Sequence, residues 1–179
     1  FDTLSISADT MESLREDDSE KYIFTGNVEI IKGNMFASAI KAIYFKNNEL
    51  FFLEGNPVLW FDSTQLHADS IIVYIPDNEL KMIHSTGNAL AASRDDTLNP
   101  ERKNQIIGSS IKIFFNDKKI KQIESIGDAK SLYFMSSEVG NDGADRTSCD
   151  TIYVNFADGK PDEVIWLGAV DGKYYPENL

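Results

Sequence analysis

Side chains that commonly perform acid–base or metal chemistry are sparse in this chain. It has two histidines, His67 and His84, and a single cysteine, Cys149, all far apart in the sequence. Zinc sites need such ligands at short, regular spacings, so we expect no metal site. The chain has no nucleophile elbow, phosphate-binding loop or HExxH sequence, and no spacing singles out a pair of carboxylates for glycoside hydrolysis. The sequence therefore predicts a protein that is not an enzyme and has no cofactor.

Regularly spaced apolar side chains offer a different chemistry, the binding of apolar ligands. Within several short runs every second residue is apolar and the residues between are mixed, which predicts strands with one buried face. Ordinary core packing is the simpler interpretation for any one of these residues, but a groove lined by them could also hold an acyl chain, because burying each methylene contributes roughly 0.8 kcal/mol. The residues expected to face inward and to line such a groove are Tyr22, Ile40, Phe51, Ile71, Val73, Ile83, Ile111, Ile113, Phe115, Ile123, Ile152, Val154 and Val164.

A short signature that recurs five times must position these residues. Each copy has a small residue, a small or acidic residue, an alternating apolar run and a glycine 18 or 19 positions after the opening residue. A fixed period of this size indicates a stacked repeat architecture. The openings are Ala8-Asp9-Thr10-Met11, Ala37-Ser38-Ala39-Ile40, Ala68-Asp69-Ser70-Ile71, Gly108-Ser109-Ser110-Ile111 and Cys149-Asp150-Thr151-Ile152, and the glycines are Gly26, Gly55, Gly87, Gly127 and Gly168.

Turn signals divide each repeat into two strands. Asn, Asp, Gly and Pro favour tight turns, and they cluster between the apolar run and the glycine in four repeats. We expect the glycine to mark a bend or bulge in the second strand. The turns are predicted at Lys46-Asn47-Asn48-Glu49, Pro76-Asp77-Asn78-Glu79, Asn116-Asp117-Lys118-Lys119 and Asp158-Gly159-Lys160-Pro161.

Length and loop composition predict a single domain over residues 1–179. The 42% hydrophobic content of the 179 residues argues against disorder. The spacing between repeats lengthens near residues 93–105 and 135–147, where Asp, Asn, Ser, Gly and Arg are common. These two stretches are predicted to be surface loops at equivalent corners of adjacent repeats.

Charge limits the partners that this chain can have. The formal net charge is −12, whereas phosphate-backbone binding needs clustered Lys and Arg. We therefore expect no nucleic-acid partner.

Several of the repeated motifs resemble the OstA-like family of lipopolysaccharide-transport proteins. Phe24-Thr25-Gly26-Asn27-Val28-Glu29-Ile30, preceded by Ile6-Ser7-Ala8-Asp9, carries the likeness, which extends from about Leu4 to Val170. Partial copies stand at Gly55-Asn56-Pro57-Val58, His67-Ala68-Asp69-Ser70 and Gly87-Asn88-Ala89. The resemblance implies an all-β fold, a twisted and partly open jelly roll of two facing antiparallel sheets with an apolar interior.

The same resemblance implies a function and a location. A protein of this family would bind lipopolysaccharide or its lipid A part, shield the acyl chains and lie in the periplasm, either free-standing or as the soluble domain of an outer-membrane protein. Unpaired edge strands template further strands, so head-to-tail pairing with other Lpt-type proteins or with a second copy is implied at Leu4-Ser5-Ile6 and Val164-Ile165-Trp166-Leu167. Such an assembly would bridge toward the outer membrane.

A second class of function stays open. Ile72, Tyr74 and Phe114 fall on the outward side of the predicted strands, and clustered outward aromatic residues suit an interaction surface. The alternative is a structural or adhesive β-repeat module that binds protein or glycan on its outer face.

Overall fold

The computed structural model describes residues 3–16, 19–94, 102–137 and 140–176. In this part of the chain the regular structure is fourteen β-strands and two short 3-10 turns, at Lys46–Asn48 and Pro76–Asn78. The strands are β1 (Leu4–Ser7), β2 (Thr10–Glu16), β3 (Ser19–Lys32), β4 (Met35–Phe45), β5 (Leu50–Glu54), β6 (Val58–Phe61), β7 (Thr64–His67), β8 (Ser70–Tyr74), β9 (Met82–Arg94), β10 (Lys103–Asn116), β11 (Lys119–Ser137), β12 (Gly140–Ala157), β13 (Lys160–Leu167) and β14 (Asp171–Tyr175).

The strands form one antiparallel hydrogen-bonded sheet that folds over on itself. Its long strands, β3, β4, β9, β10, β11 and β12, each pass through both layers. The first layer has the order β2, β3, β4, β5, β8, β9, β10, β11, β12, β13. The second has the order β1, β3, β4, β6, β7, β9, β10, β11, β12, β14. We call these layers the first and second sheets, and they confirm the predicted jelly roll.

Glycines form the corners where the chain passes from one sheet to the other. At one corner Gly87 and Asn88 both have positive φ, +77° and +48°, and the Asp69 N–H donates to the Gly87 carbonyl at 2.8 Å. A Cβ on Gly87 would overlap the Asp69 carboxylate. Equivalent left-handed pairs stand at Gly26-Asn27, Gly55-Asn56, Gly127-Asp128 and Gly168-Ala169, so the predicted bends at these glycines are confirmed.

The corner geometry corrects one predicted inward residue. Ile40 is 61% exposed and covers Gly55, whose added Cβ would lie 2.6 Å from the Ile40 Cβ. Ile40 therefore covers Gly55 in the same way that Asp69 covers Gly87 in its own corner. The repeat accordingly begins at Ala39-Ile40, the counterpart of Ala68-Asp69, rather than at Ala37. The prediction that Ile40 faces the interior is wrong, because the true counterpart of Ile71 is the fully buried Ala42.

The predicted turns are confirmed, whereas the loop predicted at residues 135–147 is largely wrong. There β11 continues to Ser137 and β12 begins at Gly140. Backbone pairing with β11 on one side and β14 on the other makes β12 a strand despite its polar composition. In the other predicted loop, residues 93–94 and 103–105 belong to β9 and β10, and residues 95–101 lie outside the described part of the chain.

The edges of the two sheets include the predicted segments. The second sheet begins with β1 and the first ends with β13. Each predicted edge has a companion strand. β2, which begins within the first copy of the repeat signature, stands at the start of the first sheet, and β14, which has no such signature, stands at the end of the second. All residues of β2 and β14 are exposed.

Candidate functional site

A cavity of about 560 Å³ lies between the two sheets in the C-terminal half of the fold. Its apolar walls come from both sheets, β11, β12 and β13 of the first and β9, β10 and β11 of the second. The apolar residues that line it are Phe61, Ala91, Ile106, Ile120, Ile123, Leu132, Tyr133, Met135, Ile152, Val154, Phe156, Pro161, Val164 and Trp166.

Large side chains close the interior on the N-terminal side of this cavity. The rings of Phe61 and Phe115 meet edge-on across the two sheets, with centroids 4.7 Å apart. Further toward the N-terminus, the Lys32 ammonium donates to the Asn78 side-chain oxygen at 2.6 Å, joining the rims of the two sheets. Buried core residues such as Phe51, Leu53 and Val73 fill the interior on the N-terminal side of Phe61, whereas the cavity lies on its other side.

The predicted groove residues divide among four environments. Ile123, Ile152, Val154 and Val164 line the cavity. Tyr22 is half-buried, with its ring stacked on Tyr44 at 6.4 Å between centroids, and Ile40 is exposed at a corner. The remaining seven are packed in the core: Phe51, Ile71, Val73, Ile83, Ile111, Ile113 and Phe115.

The second-sheet lining of the cavity is absent from the predicted set. Ile106, Leu132 and Met135 line the cavity. They lie in the second-sheet parts of β10 and β11, on the other side of the glycine corners from the predicted residues. The position two residues after each glycine could have revealed this wall in the sequence. Ala89 and Ala129 occupy that position, and both are fully buried. Extending the alternation from such positions by two residues reaches Ala91 and Ser131, which both line the cavity.

The mouth of the cavity has charged residues on both rims. Asp62 and Arg94 stand on the second-sheet rim, and Lys118 and Lys119 stand on the opposite rim at the turn between β10 and β11. No ion pair among the described residues uses Arg94 or Lys119. The lining thus has three cationic side chains, Arg94, Lys118 and Lys119, and two carboxylates, Asp62 and Asp145, so it has a small excess of positive charge in a protein whose net charge is −12.

Two polar side chains connect the walls of the cavity. The Trp166 indole N–H in β13 donates to the Ser131 hydroxyl in β11 at 3.4 Å, from the first sheet to the second. Trp166 is 36% exposed and lines the cavity. Its indole thus reports directly on the contents of the cavity.

The histidines and the cysteine are not assembled into a reactive group. Burial and the neighbouring Lys112 lower the pKa of His84, whose Nε2 lies 2.9 Å from the Ser110 hydroxyl. Burial raises the pKa of the Cys149 thiol, which disfavours the reactive thiolate. Within the described ranges, no three His, Cys, Asp or Glu side chains come together as metal ligands.

Two sheets that share bent strands around an apolar interior define an LptA-like β-jelly roll. One solved structure with this fold is LptH from Pseudomonas aeruginosa, described as the LptA-homologous periplasmic component of the lipopolysaccharide transport device. The two superpose with a TM-score of 0.57 and 14% sequence identity, over 97% of this chain and 96% of LptH. No protein-family model and no curated protein matches the sequence.

Among the residues that the structure describes, no helix has the length and apolar character to cross a bilayer.

Proposed function

We propose that this protein is a non-enzymatic periplasmic carrier of lipopolysaccharide, which shields acyl chains inside the jelly roll. The observation that carries the proposal is the open apolar cavity between the sheets, in a fold that is similar to that of LptH. Transfer of apolar surface from water contributes roughly 25 cal/mol per Å², so a lipid chain in this cavity is stabilised without any covalent step.

Transport also requires the lipid to leave again. The cavity is open to solvent along its mouth, and its lining is mainly apolar, with one half-buried carboxylate, Asp145, that accepts a hydrogen bond from the Thr147 hydroxyl. The chains would therefore gain mainly from non-directional burial. Non-directional contacts let a chain slide along the interior, because no fixed set of hydrogen bonds must break. This property suits a carrier better than a storage site.

Bridging to a partner would use the sheet edges. At the C-terminal end, β13 and β14 border the two sheets and expose Trp166, Leu167, Tyr174 and Tyr175. Unpaired strand edges accept a further strand by backbone hydrogen bonding. We propose that this end pairs with the β1 and β2 end of another copy or with an Lpt-type protein, which would extend the interior toward the outer membrane.

Site-specific photo-crosslinking tests the carrier proposal. p-Benzoylphenylalanine at Phe156, a half-buried lining residue, is expected to capture lipopolysaccharide in cells. The same photoreactive residue at Phe52 is the matched control, because Phe52 is half-buried on the opposite, outer face of the first sheet. Capture at Phe52 but not at Phe156 would overturn the proposal.

An apolar outer face supports the second candidate, a module that binds a protein or glycan. Cross-strand rows on the outside of the first sheet pair Ile43 with Phe52 and Phe52 with Ile72, and pair Leu50 with Tyr74. Large exposed apolar patches mark interaction sites. This candidate predicts that the photoreactive residue at Phe52 captures a protein or a glycan and that the residue at Phe156 captures no lipid.

A further inference from the structure

The size of the cavity limits how much lipid it can hold. An apolar cavity of about 150 Å³ holds one benzene ring, so about 560 Å³ corresponds to roughly twenty carbon atoms on the same scale. That is one long acyl chain or two short ones. A lipid with more chains would leave the others outside.

Charged side chains stand at the mouth, where the head group of such a lipid would lie. Arg94 reaches the mouth from the end of β9, and Lys119 reaches it from the start of β11 on the opposite rim. Neither is paired with a carboxylate of the described residues. Cations that flank an apolar pocket favour a ligand whose anionic group stays in water at the mouth while its chain is buried.

Resting on the proposed carrier function, we propose that the cavity binds one acyl chain of a phosphate-bearing lipid at a time, with the phosphate between Arg94 and Lys119. The chain lies against Ile123, Val154 and Trp166. This assigns a head-group site and a capacity to one half of the interior, while the half on the other side of Phe61 remains a packed core.

Tryptophan fluorescence provides a direct measurement. In a Trp60→Phe variant the remaining indole is Trp166, which lines the cavity. Tetradecanoyl lysophosphatidylglycerol, added below its critical micelle concentration, is expected to shift the Trp166 emission to shorter wavelength at a stoichiometry of one. The matched Trp166→Phe variant retains Trp60, which packs against Phe36 outside the cavity, and should show no shift.

Charge reversal tests the head-group site. Arg94→Glu and Lys119→Glu should each weaken binding of the anionic lysolipid by about fivefold to tenfold, while binding of zwitterionic tetradecanoyl lysophosphatidylcholine changes by less than about twofold. Lys130→Glu is the control, because Lys130 is exposed and lies outside the cavity lining. At 1 M salt, where the screening length is about 3 Å, the preference for the anionic lipid should decrease.

A third ligand identifies the source of the phosphate. If purified lipid A displaces the lysolipid more weakly in Lys119→Glu than in the parent protein, the site takes the lipid A phosphate. If displacement by lipid A is insensitive to the substitution, the head-group site serves glycerophospholipids. Both outcomes support the phosphate site, and the anionic lysolipid remains the primary probe.

The failures of the two proposals are distinguishable. Equal affinity for anionic and zwitterionic lysolipids, unaffected by both charge reversals, would overturn the head-group site and leave the carrier proposal standing. A stoichiometry of two or more tetradecanoyl chains would overturn the single-chain capacity. Absence of any Trp166 response to either lysolipid and to lipid A would overturn the carrier proposal as well.

Discussion

The edge-on contact between Phe61 of β6 and Phe115 of β10 joins the two sheets at the boundary between packed core and open cavity. Both rings are buried, Phe61 at 3% exposure and Phe115 at 6%. Phe61 lines the cavity and Phe115 packs behind it in the core, so this aromatic pair marks the N-terminal limit of the cavity.

Removing the ring of Phe61 should both destabilise the protein and lengthen the cavity. For Phe61→Ala we expect the free energy of unfolding to fall by about 3 kcal/mol, since the ring already borders empty space and the usual range for a buried Phe is about 3–5 kcal/mol. Urea unfolding measures the change. Phe36→Ala on the outside of the second sheet is the control and should cost less, because Phe36 is only half-buried. Equal losses for the two variants would contradict the assignment of Phe61 to the interior.

The position of Ile40 over Gly55 predicts an unusual tolerance of charge. Ile40→Asp places a carboxylate where Asp69 stands in its own corner, next to Asn56, whose φ of +53° matches that of Asn88. We expect the stability to be unchanged or to rise by up to about 1 kcal/mol. The same substitution at the fully buried Ile113 should cost several kcal/mol, on the order of 3–5, because it buries an unpaired charge. Chemical denaturation of the two variants distinguishes corner from core, and a comparable loss in both would refute the corner assignment.

The C-terminal corner has alanine where three other corners have asparagine. Ala169 has φ of +47°, a region that costs an L-residue roughly 1–2 kcal/mol and that asparagine tolerates better. Asn27 and Asn88 donate from their side chains to Asp9 and Asp69 in the equivalent corners. Ala169→Asn should therefore raise the free energy of unfolding by about 1 kcal/mol.

Ala169→Gly separates the two contributions at this corner. Glycine relieves the backbone conformation without adding a donor to Asp150, so it should give a smaller gain in thermal stability than asparagine. A loss of stability in Ala169→Asn would mean that the left-handed corner does not form as described.

Two glycines with nearly the same φ test how closely the corner is packed. Gly87 and Gly159 have φ of +77° and +79°, but an added Cβ meets the Asp69 carboxylate at Gly87 and nothing within 4 Å at Gly159. Gly159→Ala should cost only the backbone strain, about 1 kcal/mol, and Gly87→Ala clearly more, since Asp69 must move. Thermal melts of both variants give the comparison, and equal costs would show that the corner can relax around a methyl group.

An exposed network around Glu20 predicts a pH dependence. Hydrogen bonds from Lys46, Tyr22 and Arg15 lower the pKa of Glu20 from 4.5 to about 2. A depressed carboxyl pKa stabilises the fold above the unfolded-state pKa, and this contribution disappears as the pH falls from about 4.5 through about 2. Wild type should therefore exceed Glu20→Gln in stability at neutral pH, and the difference should vanish toward pH 2.

Salt and a second glutamate provide the controls for this network. Because the Arg15 and Lys46 side chains are more than half exposed, the contribution of the network should also decrease in high salt. Glu12→Gln is the matched substitution, since Glu12 lies in the exposed β2 and forms no ion pair with the described residues. A Glu20→Gln difference that persists at pH 2 would exclude charge as its cause.

Local periodicity predicted the first sheet well. The alternation of Ile111, Ile113 and Phe115 identifies the inward face of one strand, because a period of two leaves only one buried face. The same alternation cannot choose between two starting points, and Ala37-Ser38-Ala39 offers both. Only the pairing of Ile40 with the Gly55 corner decides the register, and that contact is between different strands.

The cavity could not be predicted from periodicity, because an inward side chain lines a cavity or packs in a core according to what faces it. Ile113 is fully buried within the core cluster, whereas its strand neighbour Ile123 lines the cavity together with Ser131. The pairing of residues 144–148 with β14, whose sequence has no repeat signature, likewise could not be predicted. Both features depend on neighbours that are distant in the sequence.

Because the same bent strands build both sheets, the width of the entrance is set by backbone torsions at the glycine corners. Opening the entrance requires adjacent strands to change these torsions together, since their ladders of hydrogen bonds run on either side of the bend. We expect the corners to act as a shared hinge whose weakest step is at Ala169, because an alanine there has a φ of +47° next to the exposed β14. We therefore expect the aperture to widen first at the end where a neighbouring molecule would join.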